Sequence, residues 1–417
     1  MNLSKSQYQI YQKRVIDYYV RNKLYGVHNL KRTMGKSSDK SIMVLELPKV
    51  ALKKIAKFFS VFIPISSYRK AFRGKIFSAL DLLFPNHYTL TRLKAIADFR
   101  LFGRICIPQV EFAITTTCNL KCKNCTNYIP YLPRDKQRTI SFSDFQTYLS
   151  NLLANADKLN ALLLLGGEPL PHKELPQMLD FALQNPKIES VYVTTNGTIY
   201  FSDSLRAVFE RHKGNPKLWI WVSNYTANPR LAKRLKSYDL VDYLKAHNMN
   251  YIFIDDNVWG EAQPPTYKEF NRTDAENSAY FLACNTPCVS VYGSELSICP
   301  RASHFAANGT ISQRAQCETK GAENMAFMDT ESLTGGGNRL AKKPTNIPNL
   351  SRIANQDSRI TMGDSTLPPL ESLRLDREVS KADLLAFYTH TNFSACRHCD
   401  KLNQRDTCTP ALQIGDE

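Results

Sequence analysis

Val110-Glu-Phe-Ala-Ile-Thr-Thr-Thr117 runs directly into Cys118-Asn-Leu-Lys-Cys122-Lys-Asn-Cys125, and the chain is organised around this junction. The first half reads as a strand. The second places three thiols within eight residues on the loop that leaves it, close enough in sequence to close on one metal centre. Three is one fewer than a structural zinc or an ordinary four-cysteine cluster needs. A centre held by three protein ligands keeps one metal position open for another molecule. The plainer alternatives are a zinc loop or separate buried cysteines acting as small apolar groups.

A second apolar run, Ala161-Leu-Leu-Leu-Leu165, ends in Gly166-Gly167-Glu168-Pro169. The C-x3-C-x2-C spacing together with this GGEP turn resembles the radical S-adenosylmethionine (SAM) superfamily. The resemblance implies that Cys118, Cys122 and Cys125 hold a [4Fe–4S] cluster whose fourth iron takes the amino and carboxylate groups of S-adenosylmethionine. An electron from the cluster then cleaves SAM to methionine and a 5′-deoxyadenosyl radical, which abstracts hydrogen from a substrate. It further implies that Gly166, Gly167, Glu168 and Pro169 contact SAM, the glycines by close backbone approach and Glu168 through the ammonium. Thr195-Asn196-Gly197 resembles the family's third-strand motif. Ser223 and Asn224 resemble its ribose- and carboxylate-binding pair. Ordinary turn chemistry is the plainer reading of Asn196, Ser223 and Asn224. The family's aromatic before the third cysteine is replaced by Asn124, which leaves Tyr128 as the ring that could meet the adenine. The implied redox partner is an electron donor such as flavodoxin or ferredoxin.

Length and composition frame this reading. A chain of 417 residues with 43% hydrophobic content has room for two or three domains. No stretch is long and apolar enough to cross a bilayer. The first residues lack the apolar core of a signal peptide, so the expected location is cytoplasmic. The eleven cysteines then argue for metal rather than disulfides. They fall in two groups, Cys106 to Cys125 and Cys284 to Cys408. Charge is also uneven: residues 1–104 carry 21 Lys/Arg against 5 Asp/Glu, and residues 105–417 carry 33 of each.

Between residues 105 and 280 strand and helix alternate. The expected strands are Val110–Thr116, Ala161–Leu165, Glu189–Thr194, Leu218–Ser223 and Tyr251–Ile254. The expected helices are Ser143–Ala154, Glu174–Gln184, Asp203–Arg211 and Arg230–Ala246, the first capped by Ser141 or Ser143. Such alternation predicts an α/β fold with a parallel sheet; the resemblance implies a partial (β/α)6 TIM-like barrel with its site at the C-terminal strand ends. Tyr225 and His172 lie near those ends, but no catalytic acid or base can be assigned.

Residues 1–104 read as a basic, mainly helical extension. Between Pro48 and Phe84, lysines four apart share a helical face with Phe58, Phe59 and Phe62 close by. Such a segment can lie on the inner face of a membrane, with contact through residues 49–84; a helix packed on the barrel with solvated lysines is the alternative. The segment Phe62-Ile-Pro-Ile-Ser-Ser-Tyr-Arg-Lys-Ala-Phe-Arg-Gly-Lys75 resembles a linker phrase of bacterial surface-glycan assembly proteins. No nucleic-acid binding is expected, for no such module accompanies the charge.

Residues 281–417 form the Cys-rich C-terminal domain, with a polar insertion near 306–369 that contains Cys317. Cys288 to Cys299 reads as a hairpin turning at Gly293-Ser294, and Cys396-Arg-His-Cys399 follows far downstream. The pattern resembles the SPASM or twitch auxiliary-cluster domains. It implies one auxiliary [4Fe–4S] cluster on Cys288, Cys299, Cys396 and Cys399, with Cys284 as substitute; four-cysteine zinc is the alternative. The expected function is a radical SAM oxidoreductase modifying a sugar or surface-glycan intermediate. The alternatives are a maturase that cross-links or epimerises a ribosomal peptide, and a non-catalytic zinc-binding membrane adaptor.

Overall fold

In the computed structural model the described residues are 3–23, 51–83, 87–254, 259–260, 267–284, 289–311, 370–403 and 407–415. Five strands follow one another in parallel: β1 (Cys106–Thr115), β2 (Lys158–Gly166), β3 (Ile188–Thr195), β4 (Leu218–Ser223) and β5 (Asn250–Ile254). Their apolar runs are covered on both faces, as a parallel sheet requires. Leu159, Leu162 and Leu164 of β2 and Val191 and Val193 of β3 are fully buried on one face, while Leu163, Tyr192 and Trp219 line the other.

The helices Phe142–Leu153, Leu175–Gln184, Asp203–Arg211 and Ser237–Ala246 connect these strands. Ser141, not Ser143, caps the first, accepting from Asp144 N–H at 3.1 Å. The expected helix Arg230–Ala246 is interrupted. A short turn at Ala232–Arg234 is followed by extended Leu235, and the helix begins only at Ser237. Here Lys236 N–H donates to Gly197 O at 2.6 Å, so docking of the β3 exit overrides local helix propensity.

The sheet continues past β1 on its other edge. β7 (Val289–Tyr292) lies parallel to β1, and β8 (Glu295–Ser297) and β9 (Ser372–Arg374) add antiparallel strands. The sheet is therefore an open α/β array in the order β5-β4-β3-β2-β1-β7-β8-β9. Among the described residues five β/α strands run in sequence order, and a sixth parallel strand, β7, comes from the Cys-rich region. The expected hairpin is present, with Gly293 at φ 60° in its turn. A separate pair joins β6 (Trp259–Gly260) to β10 (Thr407–Cys408). Ala306 and Ala307 end the helix Pro300–Ala307, so the start of the expected insertion is helical. Residues 312–369, which make up the rest of it, lie outside the described residues, as do Cys288 and Cys317.

Residues 1–104 divide by their packing. The helix Lys5–Tyr11 opens with a Ser4/Gln7 capping box and passes through a π-turn at Gln12–Ile16. Tyr11, Val15 and Ile16 enter the main core, and Tyr11 stacks on Phe99 of the helix His87–Phe102 at 4.3 Å. Arg14 donates to the carbonyls of Phe387, Tyr388 and His390 at 2.8 to 3.1 Å, capping the helix Lys381–Thr389. Residues 51–83 instead fold back on themselves as two helices.

Candidate functional site

The end of β1 and the end of β2 are locked together by backbone. Gly167 N–H donates to Thr115 O at 2.7 Å, and Glu168 N–H to Thr117 O at 2.9 Å. A Cβ on Gly166 would fall 1.9 Å from Thr115 O, and one on Gly167 would fall 2.2 Å from Thr117 O. The glycine pair therefore makes room first for the cysteine loop itself.

Glu168 is 2% exposed, and its carboxylate accepts from Thr195 Oγ1 at 2.8 Å, Asn196 N–H at 2.8 Å and Leu170 N–H at 3.2 Å. It braces β2 against β3. Burial pushes its pKa up to about 7, against the pull of these donors. Asn196 continues the brace: its Nδ2 donates to Asn119 Oδ1 at 2.9 Å, and Asn119 Nδ2 donates to Thr198 Oγ1 at 2.8 Å. Arg234 reaches the Asn119 carbonyl at 3.2 Å. The cysteine loop is thus tied to β2, to β3 and to the turn after β4.

Asn224 is buried and turned inward, its amide donating to Thr226 Oγ1 at 2.9 Å and accepting from Ser237 Oγ at 3.1 Å. Ser223 hydrogen-bonds Tyr225, whose ring meets Trp259 at 5.3 Å. His172 braces a turn, with Nε2 3.0 Å from Ile140 O and Nδ1 accepting from Glu174 N–H at 3.1 Å. A cleft of about 520 Å³ opens beside the loop, lined by Thr117, Cys118, Asn119, Glu168, His172 and Lys173 among others. A larger one, about 670 Å³, lies apart from the cysteines beside the β7–β8 turn and Lys136–Ile140.

Cys106, Cys118, Cys122, Cys125, Cys299, Cys396 and Cys399 are free thiols. Burial raises the thiols of Cys118 and Cys122 to about 11 and about 12, and raises Cys125 as well. Cys118 feels Cys125, and Cys122 feels both others. N–H donors already face the sulfurs: Leu120 N–H to Cys118 at 3.4 Å and Gln413 Nε2 to Cys122 at 3.4 Å. Among the described residues no three Cys, His, Asp or Glu side chains stand close enough together to hold a metal ion without adjustment. The donor set nonetheless suits a cluster with an open iron: three free thiols on one loop, N–H groups turned toward sulfur, and a cleft beside Cys118.

The C-terminal segment closes over this loop. Lys123 N–H donates to Leu412 O at 2.7 Å, and Ile414 N–H to Lys121 O at 2.8 Å, making an antiparallel bridge between Cys122 and Gln413. Asn124, at the position of the expected aromatic, is buried and donates to Cys408 Sγ at 2.9 Å. Leu120, Leu231 and Ala411 form the apolar cover.

The second thiol set is assembled from separate segments. Cys299 feels Cys399 and Cys284, and Cys396 feels all three. Cys299 also N-caps the helix Pro300–Ala307, accepting from Ala302 N–H at 3.4 Å. Arg272 clamps the CxxC turn, donating to the carbonyls of Cys396 at 2.7 Å and Cys399 at 2.9 Å. Arg301 donates to Cys399 Sγ at 3.5 Å and lies over the Tyr128 ring at 5.2 Å. Tyr128 in turn donates its N–H to Cys125 O at 3.0 Å. It thereby joins the two sets, and at 2% exposure its ring is enclosed by His304, Phe305 and Arg301 rather than offered to an adenine. His304 is buried too, and burial lowers its pKa to about 4.

Residues 112–250 match the Radical SAM superfamily. It is 31% identical over 138 residues to 7-carboxy-7-deazaguanine synthase of Aquifex aeolicus, a match covering 32% of this chain and 56% of that one. It is 30% identical over 96 residues to GTP 3',8-cyclase of Syntrophomonas wolfei, covering 22% and 28%. The chain thus spans little more than half, or less, of these curated relatives. Among solved structures, BtrN in complex with AdoMet and 2-DOIA matches 48% of this chain and 75% of its own at 15% identity and a TM-score of 0.33. SuiB of Streptococcus suis bound to S-adenosylmethionine matches 40% and 38% at 16% identity and a TM-score of 0.29.

Asn119, Gln413, Arg272 and Arg301 were not singled out by sequence. Asn119 stands inside the cysteine motif, which is a signal of a kind. The other three act on residues distant in sequence and carry none.

Proposed function

We propose that this chain is a radical SAM enzyme whose first cluster is held by Cys118, Cys122 and Cys125. The observation that carries this reading is the three-thiol loop at the end of β1, braced to Gly166–Glu168 at the end of β2. A [4Fe–4S] cluster with S-adenosylmethionine supplies reductive cleavage to a 5′-deoxyadenosyl radical. The protein's share is position and exclusion of water. Asn119, Asn196 and Arg234 fix the loop, Leu120, Leu231 and Ala411 cover it, and Glu168 offers an acceptor beside Cys118 for an ammonium.

We further assign Cys284, Cys299, Cys396 and Cys399, with Cys288 as the remaining candidate, to an auxiliary [4Fe–4S] cluster. Electrons would come from a flavodoxin- or ferredoxin-type donor. The substrate class we propose is a sugar or surface-glycan intermediate, supported by the basic, apolar character of the region before β1. A peptide substrate is less well supported: among the described residues before β1 there are helices and no strand, so no winged-helix peptide-binding module is seen.

Anaerobic reconstitution with iron and sulfide, followed by dithionite and SAM, tests this. The expected result is a brown protein with about eight irons if both four-iron clusters load, and release of 5′-deoxyadenosine. A colourless, zinc-loaded protein that leaves SAM intact would overturn it in favour of the adaptor reading.

A further inference from the structure

Residues 51–83 carry a surface the radical chemistry does not use. The helix of residues 51–59 runs into a short turn at Ser60–Phe62, Pro64 redirects the chain, and the helix Ser66–Leu83 returns. The turn is fastened from the second helix. Arg69 Nε and Nη2 donate to Ile63 O at 3.0 and 2.8 Å, Arg73 Nε donates to Ser60 Oγ at 2.5 Å, and Lys53 lies over the Phe77 ring at 5.4 Å. Ala56, Ser60 and Leu80 are buried. The hairpin has an inside, yet apart from Leu80 and the half-buried Ile76 and Phe77 most of its large apolar side chains are not there.

They gather instead at the turn. Phe62 is 72% exposed, Tyr68 66% and Phe58 63%, with Ile55, Phe59, Val61 and Ile65 each more than half exposed. Phe58 makes edge contacts with Phe59 at 5.6 Å and Phe62 at 5.8 Å, so the rings form one patch. Water-facing patches of this kind mark interaction sites. Across the hairpin, residues 51–83, there are seven cations, Lys53, Lys54, Lys57, Arg69, Lys70, Arg73 and Lys75, against one acid, Asp81.

We propose that this hairpin is a peripheral membrane anchor, whose apolar turn enters the interface of an anionic bilayer while its cations meet the lipid headgroups. Charge complementarity selects this occupant. A second copy would set seven cations against seven. A turn led by aromatic side chains suits an interface that accepts apolar groups and rewards positive charge nearby. No described helix is long and apolar enough to cross a membrane, which makes the contact interfacial. The proposal does not depend on the cluster chemistry.

Co-sedimentation of the full-length chain with phosphatidylcholine vesicles, with and without phosphatidylglycerol, tests it. Binding is expected to the anionic vesicles and to weaken as salt rises. A Phe58→Ser/Phe59→Ser/Phe62→Ser variant should lose at least tenfold in partitioning with unchanged far-UV circular dichroism and unchanged 5′-deoxyadenosine yield. Lys54→Glu/Lys57→Glu/Lys70→Glu should lose anionic selectivity while keeping the fold. Wild-type binding that survives both variants, failure of the wild type to bind anionic vesicles, or a dimer that becomes monomeric in the serine variant without any vesicle binding would each overturn the proposal, the last by showing a protein-facing patch. Because 5′-deoxyadenosine is read separately, failure here leaves the enzymatic reading standing, and the reverse.

Discussion

Cys118, Cys122 and Cys125 share a single loop, whereas Cys284, Cys299, Cys396 and Cys399 come from separate segments brought together by the fold. The first set needs only its strand to place it, and the neighbouring strand ends then brace it through Glu168, Asn119 and Asn196. The second set needs the whole C-terminal region in place, with Arg272 and Arg301 reaching in to hold the CxxC turn. A contiguous site is robust and legible; an assembled one inherits the stability of everything that assembles it. The two regions should therefore fail differently.

The largest effect separates them outright. Cys118→Ala, Cys122→Ala or Cys125→Ala should each remove the first cluster and reduce 5′-deoxyadenosine to background. Cys299→Ala or Cys396→Ala should cost about four irons and product formation, yet leave reductive SAM cleavage within a few-fold of wild type. Iron analysis beside chromatographic quantitation of 5′-deoxyadenosine reads both. Loss of SAM cleavage in the second pair would merge the two sites into one functional unit.

How much of this could be read from the sequence follows the same division. The five parallel strands were readable because each is a short apolar run ending in turn residues, and the first metal loop because its parts are consecutive. The break at Leu235–Lys236 was not, because it answers to Gly197, dozens of residues earlier. Gln413 reaches Cys122 across 291 positions, and Asn124 reaches Cys408 across 284; no local signal marks such partners. Tyr128, nominated as an adenine contact, is instead enclosed by Arg301 and His304, because the C-terminal region occupies that side of the loop.

Next in size is the close approach at the strand ends. Gly167→Ala puts a methyl 2.2 Å from the Thr117 carbonyl, against backbone that cannot swing aside. Overpacking of this kind costs about 1 to 3 kcal/mol, and at such a short approach the upper end is expected; the cysteine loop should lose cluster affinity with it. Gly214→Ala is the contrast: unlike Gly167 it has a positive φ, +77°, but a Cβ there meets nothing within 4 Å. Only the left-handed strain of about 1 kcal/mol remains. Equal shifts in urea midpoint for the two would show that the β1–β2 junction yields to an added methyl.

A buried titratable group in each region gives opposite pH slopes in the metal-free protein. Glu168 has its folded pKa raised to about 7 by burial. Its stabilising share is full below the unfolded carboxyl value and is lost as pH rises through about 7. His304 has its folded pKa lowered to about 4 by burial. The unfolded state takes up its proton first, so stability falls as pH drops from the ordinary histidine range toward about 4. Each slope integrates to the order of 3 kcal/mol, and they offset between roughly pH 4.5 and 6.5. Glu168→Gln should leave a stability that rises with pH across this window, and His304→Gln one that falls. Urea titrations at four or five pH values separate them; parallel curves for the two variants would mean that neither group is held as its burial requires.

The smallest effect probes the point where the regions touch. Gln413 donates to Cys122 and accepts from Lys121 N–H at 2.7 Å, so one side chain adds to the backbone bridge between the C-terminal strap and the first loop. Gln413→Ala removes at least three hydrogen bonds at a half-buried site, to Lys121, Cys122 and Ala411, about 0.5 to 1.5 kcal/mol each. An N–H donor facing a ligating sulfur raises a cluster's reduction potential. The expected outcome is therefore a lower midpoint potential for the first cluster, with the second unmoved and SAM affinity unchanged. Arg301→Met is the mirror test, since its donor faces Cys399. Redox titration followed by electron paramagnetic resonance distinguishes the clusters, and a shift of the second cluster in Gln413→Ala would mean that the strap, Tyr128 and Arg301 transmit strain between sites that otherwise behave separately.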